Sequence, residues 1–337
     1  MKITTKVIAM TLLATTVVGA TVIPVANSVA ADTTTTTSSS STNNTSTLSA
    51  SYVVYGAGAP QSVYSNLNDT MDVDSSFKKL TATAADYRQY IDNDSSTTNA
   101  AMISSVAIAP GDPGSGVKVN IKKYNGQSNI TKVTAQQYAM VAQMAGVTDI
   151  TINVTANRPV SGESALTGVY KAFAADGHQL NSQNTSAANS VLEATQGAID
   201  ANSDDSSYAG KLMAAVGQVS KQIAQKKQNN NGQLATKQDI QNMLTTALKS
   251  RGIESKTSSS QQTQIVNSLV TFQNSPISSS KSYVNNVTNT INNVKNSSGN
   301  LMNKAKEWAN SASAKKAEQQ ASNWLQRFVN WVRSFFN

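Results

Sequence analysis

The sequence contains no cysteine and only one histidine, and both absences exclude classes of site. Without cysteine there is no disulfide framework, so any folded part must be held together by a packed core or by partners. Zinc or iron sites built on thiolates are excluded, and His178 alone cannot form a histidine-rich metal centre. The acidic clusters NDTMDVD, DND and SDD lack the spacing of a hand-type calcium loop. The composition therefore predicts no metal and no cofactor.

Aromatic residues are also scarce, at 6% of the chain, yet they are concentrated at one end. The last fourteen residues, WLQRFVNWVRSFFN, hold two of the three tryptophans and three of the six phenylalanines. A group of large apolar residues at the end of such a polar chain predicts a contact surface there.

Residues 1–31 have the pattern of a secretory signal peptide. Lys2 and Lys6 precede an apolar stretch from Val7 to Val25, and the small residues of ANSVAA follow it. This order of charged, apolar and small-residue regions is typical of a cleaved export signal. An uncleaved anchor helix is the alternative, because about 19 residues are just long enough to span a bilayer. Threonines, a glycine and a proline dilute the stretch, which favours cleavage.

The net charge of +8 is unevenly distributed along the chain. Residues 32–185 carry nine lysines and arginines against eleven acidic residues, whereas residues 186–337 carry sixteen against eight. A basic C-terminal half on an exported chain predicts an anionic membrane surface or a wall polymer as its partner. Export argues against nucleic acid.

The mature chain divides by composition and periodicity into successive parts. Residues 32–50 are rich in serine and threonine and are predicted to be a disordered spacer. Residues 51–180 mix strand and helix patterns, as in VKVNI, where Val117 and Val119 share one face, and in the helix that Thr134 begins. Residues 181–275 show helical patterns alone.

The remaining residues complete the predicted architecture. Residues 276–300 are rich in asparagine and serine, which predicts a linker or a marginal helix. Residues 301–337 predict a basic amphipathic helix. The fold class is therefore α+β, with an N-terminal mixed strand and helix domain, an all-helical C-terminal region and an amphipathic tail helix.

Residues 101–175 contain a series of motifs in a characteristic order. A Ser-Ser strand is followed by a Gly-Ser-Gly turn into a second strand, an NIT opening, a helix that ends in Ala-Gly, and PVSGESALTG before another helix. On these motifs the chain resembles the exported Gram-positive family catalogued as domain of unknown function 1002, over about residues 51–250. The resemblance implies export and an α+β fold. It implies no activity and no catalytic residues.

The stretch RPVSGESALTG is the densest candidate site. It lies where a strand is predicted to lead into a helix, and a helix N-terminus with glycine and hydroxyl groups is a natural anion pocket. The alternative is purely structural, with Ser161 and Ser164 capping the helix and Glu163 matching its dipole. A serine nucleophile is disfavoured, because the nucleophile-elbow pattern is absent and His178 is the one imidazole. The anion-binding candidates are Arg158, Ser161, Gly162, Ser164 and Thr167.

The C-terminal segment forms an amphipathic pattern when it is placed on a helix. At 100° per residue its apolar side chains share one side, and Gln326, Asn330 and Ser334 occupy the other. An arginine lies at each border, as in helices that rest in a membrane interface. Docking on the protein's own fold or on a second copy is the alternative. The predicted contact residues are Trp324, Leu325, Arg327, Phe328, Val329, Trp331, Val332, Arg333, Phe335 and Phe336.

These observations lead to one main functional hypothesis and one alternative. The chain is expected to be a secreted, non-enzymatic protein that its tail retains at the extracellular face of the cell envelope. The alternative is a secreted hydrolase of cell-wall or polysaccharide material with a pocket at residues 158–167.

Overall fold

The computed structural model describes residues 45–229 and 231–295, and a mixed five-stranded sheet lies at the centre of this part. The strand order is β2-β1-β3-β5-β4. The pairs β1–β2 and β4–β5 are parallel, and β3 is antiparallel to both of its neighbours. The strands are β1 (Tyr52–Gly56), β2 (Lys78–Ala82), β3 (Ser105–Pro110), β4 (Val117–Ile121) and β5 (Ile150–Thr155).

Helices connect the strands and then continue without further strands in the described chain, which confirms the predicted α+β class. Thr134 begins α3 with a capping box, as the sequence predicted, and Thr236 and Ser258 begin later helices in the same way. The helices are α1 (Tyr64–Met71), α2 (Ala84–Tyr90), α3 (Ala135–Met144), α4 (Glu163–Ala175), α5 (Ser182–Ala201), α6 (Tyr208–Asn229), α7 (Lys237–Lys249), α8 (Ser259–Asn274) and α9 (Lys281–Lys295).

Each face of the sheet packs into a different apolar cluster. Alternation along β1 sends Tyr52 and Val54 into the larger cluster and Val53 and Tyr55 into the smaller one. The larger cluster contains α3, α4 and the later helices, and the smaller one contains the buried residues of α1. Both faces are therefore covered, which explains why β1, β3 and β5 are buried along their whole length.

One hydrophobic core runs through the strand-containing part and the helical part. Ile152 of β5 and Tyr138 of α3 belong to the same buried cluster as Val216 of α6 and Phe272 of α8. The predicted boundary at residue 180 lies in the loop between α4 and α5, and the core continues across it.

Helix α9 occupies most of the segment that was predicted to be a linker or a marginal helix. Its apolar stripe is thin, but Tyr283, Val287, Ile291 and Val294 are buried in the main core. The composition of the segment does not reveal what its polar side does. The Asn-rich face of α9 forms hydrogen bonds with the backbone at the edge of the sheet.

Side chains of α9 pair with the free edge of β4. The hydroxyl of Thr290 accepts a hydrogen bond from the Val117 amide at 2.9 Å and donates one to Oε1 of Gln143 at 2.7 Å. The amide of Asn293 donates to the carbonyl oxygens of Ser115 and Val117 at 2.8 and 3.1 Å. Edge groups of a sheet need such partners when they are buried, so α9 closes the beginning of the β4 edge.

The last six residues of the predicted disordered spacer, 45–50, are packed against the rest of the described chain, so the prediction is wrong for them. Ser46 bridges to Val147, and Leu48 is fully buried. The Ser49 amide and hydroxyl donate to the Asp176 carboxylate at 2.5 and 2.8 Å. Residues 45–50 therefore form a strap across the body, held by partners more than a hundred positions away in sequence.

Asp149 is a buried carboxylate in the turn that precedes β5. It is 8% exposed, and its Oδ1 accepts a hydrogen bond from the Gly116 amide at 2.8 Å. Burial raises the pKa of Asp149, because it penalises the charged form more than the amides of Gly116 and Gly114 favour it. The folded chain therefore holds this proton at a pH where the unfolded chain, with a pKa near ~3.9, has released it.

This shift predicts a pH-dependent effect of Asp149→Asn. Stability from a carboxyl whose folded pKa is raised falls as the pH rises from the unfolded pKa through the folded one. Asparagine retains the accepting oxygen and tolerates the φ of 52° at this position. We expect the Tm of the variant, relative to the native chain, to increase as the pH rises from about 4 to about 7. A difference in Tm that stays constant over this range would contradict the assignment.

Candidate functional site

The segment from residue 158 to residue 167 joins β5 to α4, as predicted, and pairs with the stretch that precedes α3. Val160 bridges to Ile130, and the Ser161 carbonyl accepts hydrogen bonds from the amides of Lys132 and Val133 at 3.3 and 3.0 Å. Gly162 is the N-cap of α4, with a φ of 113°. Only glycine adopts this backbone conformation readily, which explains the glycine of the PVSG motif.

The N-terminus of α4 is capped from another segment rather than by its own serines. The hydroxyl of Ser104 accepts a hydrogen bond from the Ala165 amide at 2.9 Å and lies 2.5 Å from the hydroxyl of Ser164. The Tyr138 hydroxyl donates to the Gly162 carbonyl at 2.5 Å. The Ala165 amide, which also donates to the Gly162 carbonyl at 3.0 Å, and this N-cap carbonyl are thus both satisfied inside the protein.

The five anion-binding candidates divide into two groups. Gly162, Ser164 and Thr167 are buried, and Ser164 donates to the Ser104 carbonyl at 3.2 Å. Arg158 and Ser161 are exposed, and the Arg158 guanidinium lies 3.5 Å from the Ala100 carbonyl oxygen. The structure therefore brings Ser164 together with its capping partners, and it leaves Arg158 and Ser161 as the groups available to an external ligand.

Carboxylates accumulate beside this helix start. Glu163, in the first turn of α4, accepts a hydrogen bond from the Tyr87 hydroxyl at 2.8 Å. Burial, followed by the charges of Asp92 and Glu163, raises the pKa of Glu193 on α5. Two carboxyl groups with different environments are the combination that acid–base hydrolysis uses. The same negative charge disfavours an anion close to Glu163.

Sequence reasoning missed Ser104, Tyr138 and Tyr87 as neighbours of this junction. In the sequence, Ser104 directly precedes a strand in ISSVAIAP, and the position of Tyr138 in α3 predicts a core residue. Both are far in sequence from the residues of α4 that they contact. Tyr138 is more than twenty positions from Gly162, and Ser104 is about sixty positions from Ala165. No local spacing rule reports such a contact, so only the fold could reveal it.

The capping arrangement predicts different effects for two nearby serines. Ser104→Ala leaves the Ala165 amide without this acceptor and is expected to lower the free energy of unfolding by about 1–2 kcal/mol. Ser161→Ala removes an exposed hydroxyl and is expected to change it by less than about 0.5 kcal/mol. Urea denaturation of both variants checks this. Equal losses would show that Ser104 does not cap α4.

The ten predicted contact residues of the tail, from Trp324 to Phe336, lie outside the described residues. Within residues 45–229 and 231–295, no group of three or more histidine or acidic side chains is arranged to hold a metal ion. In that same part of the chain, no helix is both long enough and apolar enough to cross a bilayer.

A comparison with protein families assigns most of the chain to one family. A family model described as "Protein of unknown function (DUF1002)" matches residues 55–294, so the chain belongs to this family. The match extends through α9 and thus beyond the range of about 51–250 that the motifs suggested. The family assignment confirms the resemblance seen in the sequence.

A relative is found in a Gram-positive bacterium. Over 123 residues the chain is 31% identical to "Uncharacterized protein YpuA" of Bacillus subtilis (strain 168). The aligned region spans 36% of this chain and 40% of that protein, which is less than half of either. No solved structure matches the chain.

Proposed function

We propose that this protein is an exported, non-enzymatic component of the cell envelope, held at an anionic membrane or wall surface by its C-terminal amphipathic helix. The observation that carries the proposal is the sequence of residues 324–337, in which large apolar side chains share one side and an arginine lies at each border. That pattern is typical of helices that lie in a membrane interface.

The charge distribution supports an anionic surface. Residues 296–337 carry six lysines and arginines and two acidic residues, a net +4 within 42 residues. Residues 45–295 carry nineteen and sixteen, a net +3 within 251 residues. Basic residues next to an anionic leaflet contribute about 1 kcal/mol each when they lie near the surface. The tail therefore has both an apolar and an electrostatic reason to bind there.

The expected strength suits reversible attachment. Eight large apolar side chains, each burying about half of its area, contribute on the order of 8 kcal/mol. Ordering the helix consumes several kcal/mol of this. The remainder is smaller than the energy of a spanning helix, and it increases with the anionic content of the membrane.

Vesicle flotation of the full chain tests the proposal. Vesicles that contain about one third phosphatidylglycerol are expected to carry the protein to the top of the gradient, and purely zwitterionic vesicles to carry much less. High salt is expected to reduce the bound fraction on the anionic vesicles. A protein that stays at the bottom with both vesicles, or that elutes as a dimer through its tail, would contradict membrane attachment.

A secreted hydrolase is the second candidate. The observation that favours it is a carboxylate at the start of α4, where Glu163 accepts a hydrogen bond from the Tyr87 hydroxyl at 2.8 Å, with Glu193 as a second carboxyl group that is close enough to interact electrostatically with it. A hydrolase would release soluble fragments from purified cell-wall material, and Glu193→Gln, Ser161→Ala or Arg158→Ala would reduce the release. Wall material that stays intact with the native chain excludes this candidate.

A further inference from the structure

A cavity lies between the first turn of α6 and the ends of α7 and α9. Its volume is about 270 Å³, which is large enough for a phosphate group with its glycerol substituent. Its lining combines hydroxyl groups, two cationic side chains and a buried valine of α9. The residues that matter here are Ser206, Ser207, Lys211, Arg251 and Val294.

Arg251 brings a positive charge into this cavity without an acidic partner. Its guanidinium donates to the Ala247 carbonyl at 2.9 Å and to the Ala214 carbonyl at 3.3 Å, which ties α7 to α6. Its Nε is buried and has no hydrogen-bond partner among the described residues. The hydrogen bonds of the guanidinium to these two carbonyl groups are to neutral acceptors, so its positive charge has no anionic partner among the described residues.

Lys211 of α6 adds a second cation to the lining of the cavity. Among the described residues, no carboxylate lies within the 4.0 Å of an ion pair from either Lys211 or Arg251. The carboxylate of the neighbouring Asp205 is already occupied, because it accepts from Lys256 at 2.7 Å and from the Ser207 amide and hydroxyl at 3.0 and 2.6 Å. The cavity thus offers two uncompensated positive charges.

The position of the cavity connects it with the tail. Val294 lines it, and α9 ends one residue later. In the sequence, the tail segment 301–337 begins six residues after the end of α9. A tail that lies on a membrane would keep this cavity close to the lipid headgroups.

We propose that this cavity binds the phosphodiester headgroup of an anionic phospholipid, with Lys211 and Arg251 as the cationic contacts. The inference rests on the proposed attachment of the tail and adds a second, polar contact on the folded body. A phosphodiester supplies negative charge and acceptor oxygens for the two cationic side chains that line the cavity.

The test uses headgroups without acyl chains, which the apolar stripe of the tail cannot bind. Binding of glycerophosphoglycerol to the full chain is measured by calorimetry or NMR titration, with inorganic phosphate and the zwitterionic glycerophosphocholine alongside. We expect binding of glycerophosphoglycerol and about fivefold or more weaker binding to Lys211→Gln. The ammonium of Lys211 has no hydrogen bond within the described chain, so this substitution leaves the packing intact.

Lys249→Gln is the matched control, because Lys249 is an exposed cation of α7 that does not line the cavity. Equal binding by Lys211→Gln and Lys249→Gln would overturn the assignment of the site. Inorganic phosphate that binds as tightly as glycerophosphoglycerol would overturn the lipid source. Arg251→Gln, which also loses two hydrogen bonds to carbonyl groups, is compared after its Tm has been measured.

The same measurement on a tail variant separates this inference from the proposed function. Trp331→Glu in the full chain is expected to lose flotation with anionic vesicles and to keep native binding of glycerophosphoglycerol. Flotation without headgroup binding would leave the tail proposal standing and reject the cavity. Headgroup binding in a native chain that does not float would reject the tail proposal alone.

Discussion

Gly56→Ala is expected to destabilise the folded chain by about 3 kcal/mol or more. Gly56 ends β1, where the chain passes directly over the segment that leads into β3. A Cβ at this position would overlap the carbonyl oxygen of Met102 and would lie 2.7 Å from its carbonyl carbon and 2.9 Å from that of Ile103. These are backbone atoms within a buried layer, so they cannot move aside as the end of a flexible side chain would.

Gly197→Ala is the matched control for this prediction. Gly197 lies on the exposed side of α5, and a Cβ there would meet nothing within 4 Å. Alanine in a helix interior is better than glycine by about 0.5–1 kcal/mol, so this variant is expected to be more stable than the native chain. Chemical denaturation of the two variants gives the comparison. A loss below about 1 kcal/mol for Gly56→Ala would show that β1 and residues 102–103 can separate at little cost.

Trp331→Glu is expected to reduce the partition of the full chain into anionic vesicles by at least about tenfold. The substitution removes a large apolar side chain, whose half-burial contributes about 1 kcal/mol or more, and it places a negative charge on the face that meets anionic lipid. A change of 1.4 kcal/mol corresponds to a factor of about ten. Vesicle sedimentation at several lipid concentrations measures the partition coefficient.

Asn330→Glu introduces the same charge one position earlier, on the polar side of the predicted helix. Its effect is expected to be several times smaller, because only the electrostatic part of the binding energy changes. Equal effects of the two substitutions would show that charge alone controls the binding. The amphipathic helix would then not describe how the tail binds.

Features that depend on nearby residues could be predicted from the sequence. The capping box at Thr134 and the alternation of Val117 and Val119 each need only a few neighbouring positions, and the structure has both. The helical period also locates α4, because its buried residues Leu166 and Phe173 are spaced to share one face. The class of the fold follows from these elements.

Features that join distant residues could not be predicted. The asparagines of α9 predict a poorly stable helix, and only the structure shows that one of them donates hydrogen bonds to the backbone at the edge of β4. The sequence around Ser49 resembles a disordered spacer, because the Asp176 carboxylate that binds it is distant in the sequence. At the candidate site, the sequence located the glycine at the start of α4, but the cap comes from Ser104. Polar side chains that satisfy a remote backbone group leave no periodic signal.

Tryptophan fluorescence tests the central claim, the attachment of the tail to lipid, most directly. The three tryptophans are Trp308, Trp324 and Trp331, so the folded part described by the structure contributes none of the emission. We expect anionic vesicles to shift the emission to shorter wavelength and lipids with brominated acyl chains to quench it, because Trp324 and Trp331 would enter the acyl boundary. An emission that is already blue-shifted in the free protein, and that neither vesicles nor brominated lipids change, would contradict it.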